Sequence, residues 1–529
     1  MKKVTFISHD FVKEVDVQPD SNLLSVIREC GLFVEAPCGG QSVCKKCLVF
    51  TEEGKALFAC KTTVKEDMTV VLPRYDDPLL RSKKTNLASD FIPKQIDPVV
   101  KNVEQVGERK DCKNLGIAID IGTTTISIVL LDIESGDIID NISFYNPQII
   151  YGADIIHRII FSQKGDGAKL LQKKIVDELI KSISYLGSKN EIDLREVKSV
   201  AISGNTTMIH LLLKLDAKYI REAPYSPIAT EFEPFYTDEN FNLLPKAKVF
   251  IAPCVANYLG GDIVSGVAVS GLHKRDETSI LLDIGTNGEI VIGNKEWLVG
   301  CACSAGPAFE GMGLNCGTRF KEGAITEATI CDNKFKYVVF GASKPCGISG
   351  SGIISLIKHL KEEGYIDNRG KFSDKVTQKV DHKKAFILFE AKDTVGGEPI
   401  YVTETDIDNI LRAKAAIYSG MSLLLKKTSL DISNVDKFFI AGNLGSSINI
   451  ESAIEIGLLP ALPREKFSFI GNASLAGSIK YLLSKETRQD FLDIKAKTTY
   501  IDLSNEPAYM DEFMAALFIP HTDLNLFGK

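Results

Sequence analysis

Two stretches carry the residues best suited to chemistry, and they carry them in the same order. Leu115 to Asp132 reads LGIAIDIGTTTISIVLLD, and Ser279 to Ile292 reads SILLDIGTNGEIVI. In each, an apolar β-branched run passes through an aspartate, breaks at a glycine, continues through threonine and resumes the strand pattern, which is the signature of a β-hairpin with a polar turn. Gly122, Thr123 and Thr124, followed by Thr125, offer backbone N–H groups and hydroxyls to an anion, and Gly285, Thr286 and Asn287 repeat the offer. Asp120 and Asp283 can hold Mg²⁺ or its water shell. A single Gly-Thr turn between buried strands is unremarkable. Two turns with the aspartate in register point to a shared site gripping a nucleoside triphosphate from both sides.

A second group is made of sulfur. Cys38, Cys44, Cys47 and Cys60 are separated by five, two and twelve residues, inside and just beyond the glycine-containing segment APCGGQSVCKKCLVF. Structural zinc sites usually present two short Cys-x2-Cys knuckles, and only one pair here is that close. A [2Fe–2S] cluster fits better, with Gly39 and Gly40 letting backbone amides approach its sulfurs and tune the potential.

The elements that must position these groups follow from pattern. Lys2 to Ser8 and Val12 to Val17 alternate like a hairpin, Leu23, Leu24 and Ile27 mark a helix capped by Asp20 or Ser21, and Thr69 to Pro73 closes the unit. Arg74 to Asn114 is rich in charge and proline without sustained periodicity and reads as a tether with one short helix near Val99 to Val106. Val197 to Ser203 and Ala247 to Ala252 are strands leading into GNTTMIHLLL and into a helix opened by Gly260, Gly261 and Asp262. His210 falls on an apolar helix face, as a hydrogen-bonded core histidine would. In the second half, CGISGSG places Gly350 and Ser351 in a backbone cradle entering a helix. Thr403 to Leu425 is an amphipathic helix capped by Thr403 or Thr405 and broken by Gly420. Lys437 to Ala441 turns through Gly442, Asn443, Leu444 and Gly445, and GNASL makes a last tight turn before Ala476. The remaining cysteines from Cys301 to Cys346 lack ligand spacing.

The chain has 529 residues, room for about three or four domains. Its net charge of −7 gives nucleic acid no electrostatic foothold. The N-terminal MKKVTFISHDFVKEVDV has no apolar core of the signal-peptide kind, and the apolar run at Leu115 is interrupted by Asp120 and the threonines, so no membrane span is expected. Twelve cysteines in such a chain fit a reducing cytoplasm and thiolates used for metal.

The cysteine segment resembles ferredoxins of β-grasp fold, departing from the plant type in its five-residue first spacing, in Ser42 and Lys45 where glycine is common, and in its short gap to Cys60. DIGTTT, DIGTNG and FFIAGNLG resemble the two phosphate motifs and the adenosine motif of the acetate and sugar kinase, heat-shock chaperone and actin superfamily. That resemblance implies an α/β fold: two duplicated ribonuclease H-like, actin-like ATPase subdomains with ATP and Mg²⁺ in the cleft, and Gly442, Asn443 and Gly445 near adenosine. The implied domains are 1–74 (ferredoxin), 75–114 (linker), 115–275 and 276–529, the last with a C-terminal extension. The fusion, together with NPQIIYGADIIHRI, GNTTMIHLLL, SAGPAFEGM and CGISGSG, resembles reductive activators of corrinoid-dependent enzymes. Such activators return a cobalt that has drifted to Co(II) to the Co(I) state. The resemblance implies a partner corrinoid protein or methyltransferase, an upstream donor such as reduced ferredoxin or flavodoxin, and leaves homodimerisation open. Plant-type centres lie near about −400 mV, above the corrinoid couple, and each 100 mV is worth about 2.3 kcal/mol per electron, so delivery needs a coupled energy source. Two other readings compete. One is a phosphotransferase with a redox-sensing ferredoxin and a cleft carboxylate such as Glu310 or Asp262. The other is a module in which nucleotide merely gates docking.

Overall fold

The computed structural model of the chain describes residues 1–8, 11–30, 32, 34, 36, 47–72, 114–152, 154–237, 243–244, 246–331, 334–341, 344–442, 444 and 448–528. Nearly all of the expected tether, with its short helix, lies outside them.

The N-terminal sheet has five strands in the order Phe11–Val17, Lys2–Ser8, Met68–Val71, Leu48–Thr51 and Ala56–Phe58. Lys2–Ser8 pairs antiparallel with Phe11–Val17 and parallel with Met68–Val71, so the first and last strands lie side by side at the centre. Alternation buries Val4 and Phe6 against Leu23, Val26 and Ile27 of the helix Leu23–Glu29, which gives the β-grasp arrangement. The helix cap differs from the expected one. Asn22 takes that role, its Oδ1 accepting from the N–H groups of Leu24 and Ser25 at 3.1 and 3.3 Å. Asp20 is spent in a turn at φ 65° and Ser21 in a two-residue strand against Val64.

The rest of the chain holds two six-stranded sheets of the same build. One runs Ile138–Tyr145, Thr125–Asp132, Leu115–Ile121, Val197–Gly204, Lys248–Ile251, Phe235–Tyr236; the other runs Phe467–Gly471, Lys437–Ala441, Ser279–Ile284, Gly288–Gly293, Leu298–Cys303, Thr498–Tyr500. In both, the Asp-x-Gly-Thr hairpin forms two strands of an antiparallel meander, and two further strands continue in parallel beyond its first strand. That shared order is the duplicated ribonuclease H-like plan. Strands buried on both faces explain why Leu115–Ile121 is almost continuously apolar.

The halves exchange helices. Ala473–Leu483 belongs to the second half by sequence but packs on Leu115–Ile121 and Val197–Gly204 of the first, beside Gly261–Ser270. The two helices approach so closely that a Cβ on Gly477 would lie 2.2 Å from Ser265 Cβ. One core therefore contains Ala118 and Val129 together with Leu281, Val291 and Ile479.

The long helix Glu404–Lys427 is capped by Thr403 in a capping box with Asp406, and it runs unbroken through Gly420. Gly420 is a packing glycine: a Cβ there would meet Cys303 Sγ at 2.3 Å. GNASL likewise ends a strand and starts a helix directly, with Asn472 as cap. The C-terminal helix Pro507–Ala516 packs back on Glu404–Lys427, pinned by Lys426 to Glu512 at 2.6 Å and by the buried Lys414, which donates to the carbonyls of Phe518 and Pro520 at 2.5 and 2.6 Å. No helix among the described residues is long and apolar enough to cross a membrane.

Candidate functional site

The two hairpin turns meet in a cleft of about 250 Å³ that is open to solvent. Asp120, Gly122, Thr123, Thr124, Asp283, Gly285, Thr286, Asn287, Gly350, Ser351 and Gly442 all line it. Asn443 and Gly445 lie outside the described residues. The meeting is direct: Thr124 Oγ1 and Thr286 Oγ1 are 3.2 Å apart, although 162 residues separate them in the chain.

The first turn is held from several sides. Gly122 N–H donates to Thr125 O at 3.0 Å, and Asn146 Nδ2 donates to Gly122 O at 2.8 Å. Asn205 caps the helix Thr206–Leu213 through its Oδ1 and donates from Nδ2 to Thr123 Oγ1 at 2.9 Å, so one residue fixes both helix start and turn. Asp120 accepts from Ser474 Oγ at 2.7 Å and from Asn472 Nδ2 at 3.0 Å, both delivered by the exchanged helix. The second turn is held at Thr286, which donates to Glu310 Oε1 at 2.9 Å; Glu310 Oε2 accepts from Arg319 at 3.2 Å. Arg319 stacks its guanidinium 4.6 Å from the ring centre of Tyr145, which stands at the end of a first-half strand. Two contacts thus tie the halves across the cleft.

Gly350 and Ser351 occupy the start of the helix Gly350–Glu362, capped by Ser349. A Cβ on Gly350 would fall 2.0 Å from Phe309 O, so glycine is required for the helix start to reach the cleft wall. Ser351 Oγ is spent on Thr326 O at 3.0 Å and faces protein, which leaves backbone N–H groups as that end's contribution. Gly442 sits at φ +88°, where a side chain would also strike Ile284 O at 2.4 Å.

The cleft floor is acidic. Burial pushes Asp283 up to about 7, with the nearby Asp120 adding to the effect. Asp262 is raised to about 7 by burial first, then by Asp283 and Asp120. Burial raises Asp120 as well, against its hydrogen bonds from Ser474 and Asn472, and Glu289 is raised well above the ordinary range by burial and by Asp262 and Asp283. Such a floor favours a divalent cation. The described residues contain no group of three or more His, Cys, Asp or Glu side chains placed to hold an ion alone. Arg319 and Lys321 add positive charge on the wall.

Sequence reading missed Asn146, Asn205, Asn472 and Ser474. Three of the four follow a strand directly as helix caps or first-turn residues, and that position was the available signal. Glu310 and Asp262, put forward for a phosphotransferase, do line the cleft. His210 is buried with Nδ1 2.8 Å from Thr206 O, as expected of a core histidine. In the N-terminal unit, Cys47 is buried and Cys60 N–H donates to its Sγ at 3.3 Å. An amide aimed at a sulfur suits a thiolate ligand. Cys38 and Cys44 lie outside the described residues.

A β-grasp unit followed by two ribonuclease H-like halves around a polar, acid-floored cleft defines an actin-like ATPase fold carrying a β-grasp head. Family models described as the RACo middle region and as the C-terminal domain of RACo, the ASKHA domain, match residues 115–275 and 277–529. The corrinoid activation enzyme RamQ of Eubacterium limosum is 30% identical over 95% of this chain and 97% of its own. A Methanosarcina barkeri [Co(II) methylated amine-specific corrinoid protein] reductase is 22% identical over 73% of each chain. The solved structure of a reductive activator for corrinoid, iron-sulfur protein superposes over 100% of both chains with a TM-score of 0.74 at 33% identity. The chain belongs to this family of corrinoid reductive activators.

Proposed function

We propose that this chain is an ATP-dependent reductive activator that passes single electrons to the Co(II) corrinoid of a partner corrinoid protein or methyltransferase and regenerates Co(I). The observation that carries the reading is the 3.2 Å contact between Thr124 and Thr286, which puts two phosphate turns from separate halves at one point. A [2Fe–2S] cluster on Cys38, Cys44, Cys47 and Cys60 would supply electrons one at a time, replenished by a reduced ferredoxin or flavodoxin, in a cytoplasmic protein that can pair as a homodimer. The domain division is 1–74, 75–114, 115–275 and 276–529.

The chain's own residues set the coupling. Turn amides and hydroxyls at Gly122 to Thr124 and Gly285 to Asn287 take the polyphosphate, Asp120 and Asp283 face Mg²⁺ through its water shell, and Gly442, Asn443 and Gly445 border adenosine. A ligand drives closure only by binding the closed state better than the open one. Groups contributed by both halves meet that condition, and loss of the terminal phosphate weakens the grip. The closing free energy is what an uphill electron transfer requires.

The test is an anaerobic ultraviolet-visible titration of a Co(II) corrinoid partner with the reduced chain, ATP present or omitted. Co(I) is expected to accumulate only with ATP, and Cys47→Ser to bind ATP yet reduce nothing. Reduction by Cys47→Ser, or equal reduction without ATP, overturns the reading.

A further inference from the structure

Arg158 is the largest fully buried side chain among the described residues, and no described carboxylate pairs with it. It lies on the helix Ile155–Ser162 behind the first phosphate turn. Its Nε donates to Gly152 O at 2.9 Å, its Nη1 reaches Met208 Sδ at 3.3 Å and Gln148 Oε1 at 3.5 Å, and its Nη2 has no hydrogen-bond partner. Asp154, the cap of the same helix, supports its charge from a distance but is itself engaged by His157 at 2.8 Å. Burial lowers Arg158 to about 9, so it stays protonated at neutral pH. A cation in such a place is costly unless an anion compensates it.

The compensating position is marked by the neighbours. Met208 Sδ also takes Asn146 Nδ2 at 3.4 Å, and Asn146 Nδ2 donates to Gly122 O at 2.8 Å. These three contacts keep the guanidinium within roughly 10 Å of the first phosphate turn, through an interior that screens charge far less than water does.

We propose that Arg158 is a positioning residue whose counter-charge is the nucleotide's phosphate chain: held behind the first turn by Met208, Gln148 and Gly152, it biases the cleft toward the most highly charged nucleotide without touching it. The inference rests on the nucleotide reading above and deepens it by naming what sets triphosphate over diphosphate preference.

Calorimetric titration of the full-length chain with Mg-ATP, Mg-ADP, AMP and adenosine tests it. Arg158→Met, similar in length and uncharged, is expected to weaken ATP by about tenfold, ADP by less and adenosine by under about twofold. Arg158→Lys, with the charge restored, is expected to recover most of the ATP preference. Met208→Leu removes an acceptor that holds the guanidinium behind the turn, so its ATP-to-ADP ratio is expected to fall by about two- to threefold, which also serves as the readout if Arg158→Met does not fold. Equal weakening of all four ligands, no weakening of ATP, Arg158→Lys behaving like Arg158→Met, or a wild-type ratio in Met208→Leu each overturns the proposal. If the unmodified chain binds no nucleotide, the cleft reading itself fails.

Discussion

The two Asp-x-Gly-Thr hairpins are near copies in sequence and unlike in the structure. Around the first, Asp120 is hydrogen-bonded by Ser474 and Asn472, Thr123 by Asn205, and the Gly122 carbonyl by Asn146. Around the second, no side-chain hydrogen bond from a described residue reaches Asp283, and Thr286 is tied only to groups facing the cleft, Thr124 and Glu310. A Cβ on Gly122 would lie 2.7 Å from Thr125 O, whereas one on Gly285 would meet nothing within 4 Å. The first turn is braced by side chains from several elements; the second has its own Gly285 N–H to Asn287 O bond at 2.9 Å and the Thr286 to Glu310 bond, with fewer outside supports. A duplicated motif thus has one turn more heavily braced than the other.

The sharpest break would come from the aspartates. Asp120→Asn and Asp283→Asn are both expected to cut ATP turnover by about 100-fold or more, measured as phosphate release. Their effects on melting should be opposite. Asp283→Asn raises the melting temperature of the nucleotide-free chain at pH 8 by removing like charge from the floor, while Asp120→Asn lowers it by setting an amide donor against Asn472. Matching shifts in the two variants would erase the asymmetry. Next in size, Thr286→Ala should lower turnover by about tenfold with little change in melting, whereas Thr123→Ala should lower turnover and also lose about 1 kcal/mol of stability with the Asn205 bond.

Protonation offers a subtler probe. Asp262 and Asp283 titrate at about 7 in the folded chain against an ordinary 3.8, so the folded state holds protons that the unfolded state has already released. Their contribution is complete below about pH 4 and is lost as pH rises through about 7. The nucleotide-free melting temperature should therefore fall by a few degrees between pH 6 and 8, and less so in Asp283→Asn or with Mg-ATP bound. A flat profile would remove the acid floor from the account. The smallest expected contrast is between glycines: Gly122→Ala costs about 1 to 3 kcal/mol in chemical denaturation because its Cβ meets backbone, and Gly285→Ala changes stability by under about 0.5 kcal/mol.

Much of this was legible in the chain. Near-continuous apolar runs around Asp120 and Asp283 announced both hairpins, because strands buried on two faces leave few other choices of residue. The strand from Val197 was legible as a buried apolar run, and the helix after Ser349 from the glycine-serine turn that opens it. Errors arose where a local signal had a tertiary cause. Gly420 reads as a helix breaker but is there to admit Cys303 Sγ, and Asn22 caps a helix whose more obvious caps, Asp20 and Ser21, are taken by a turn and a strand pairing.

The amino-acid order by itself determined the repeated turns, the cysteine spacing and the alternation that folds each half, because those depend on neighbours within a few positions. Only the tertiary structure decided that Ser474 and Asn472 travel some 350 positions to hold Asp120, that Thr124 touches Thr286, and that Arg319 clasps Tyr145. Such pairs come from how helices and sheets pack, and packing energy depends on shape complementarity between surfaces that no local pattern of residue types encodes.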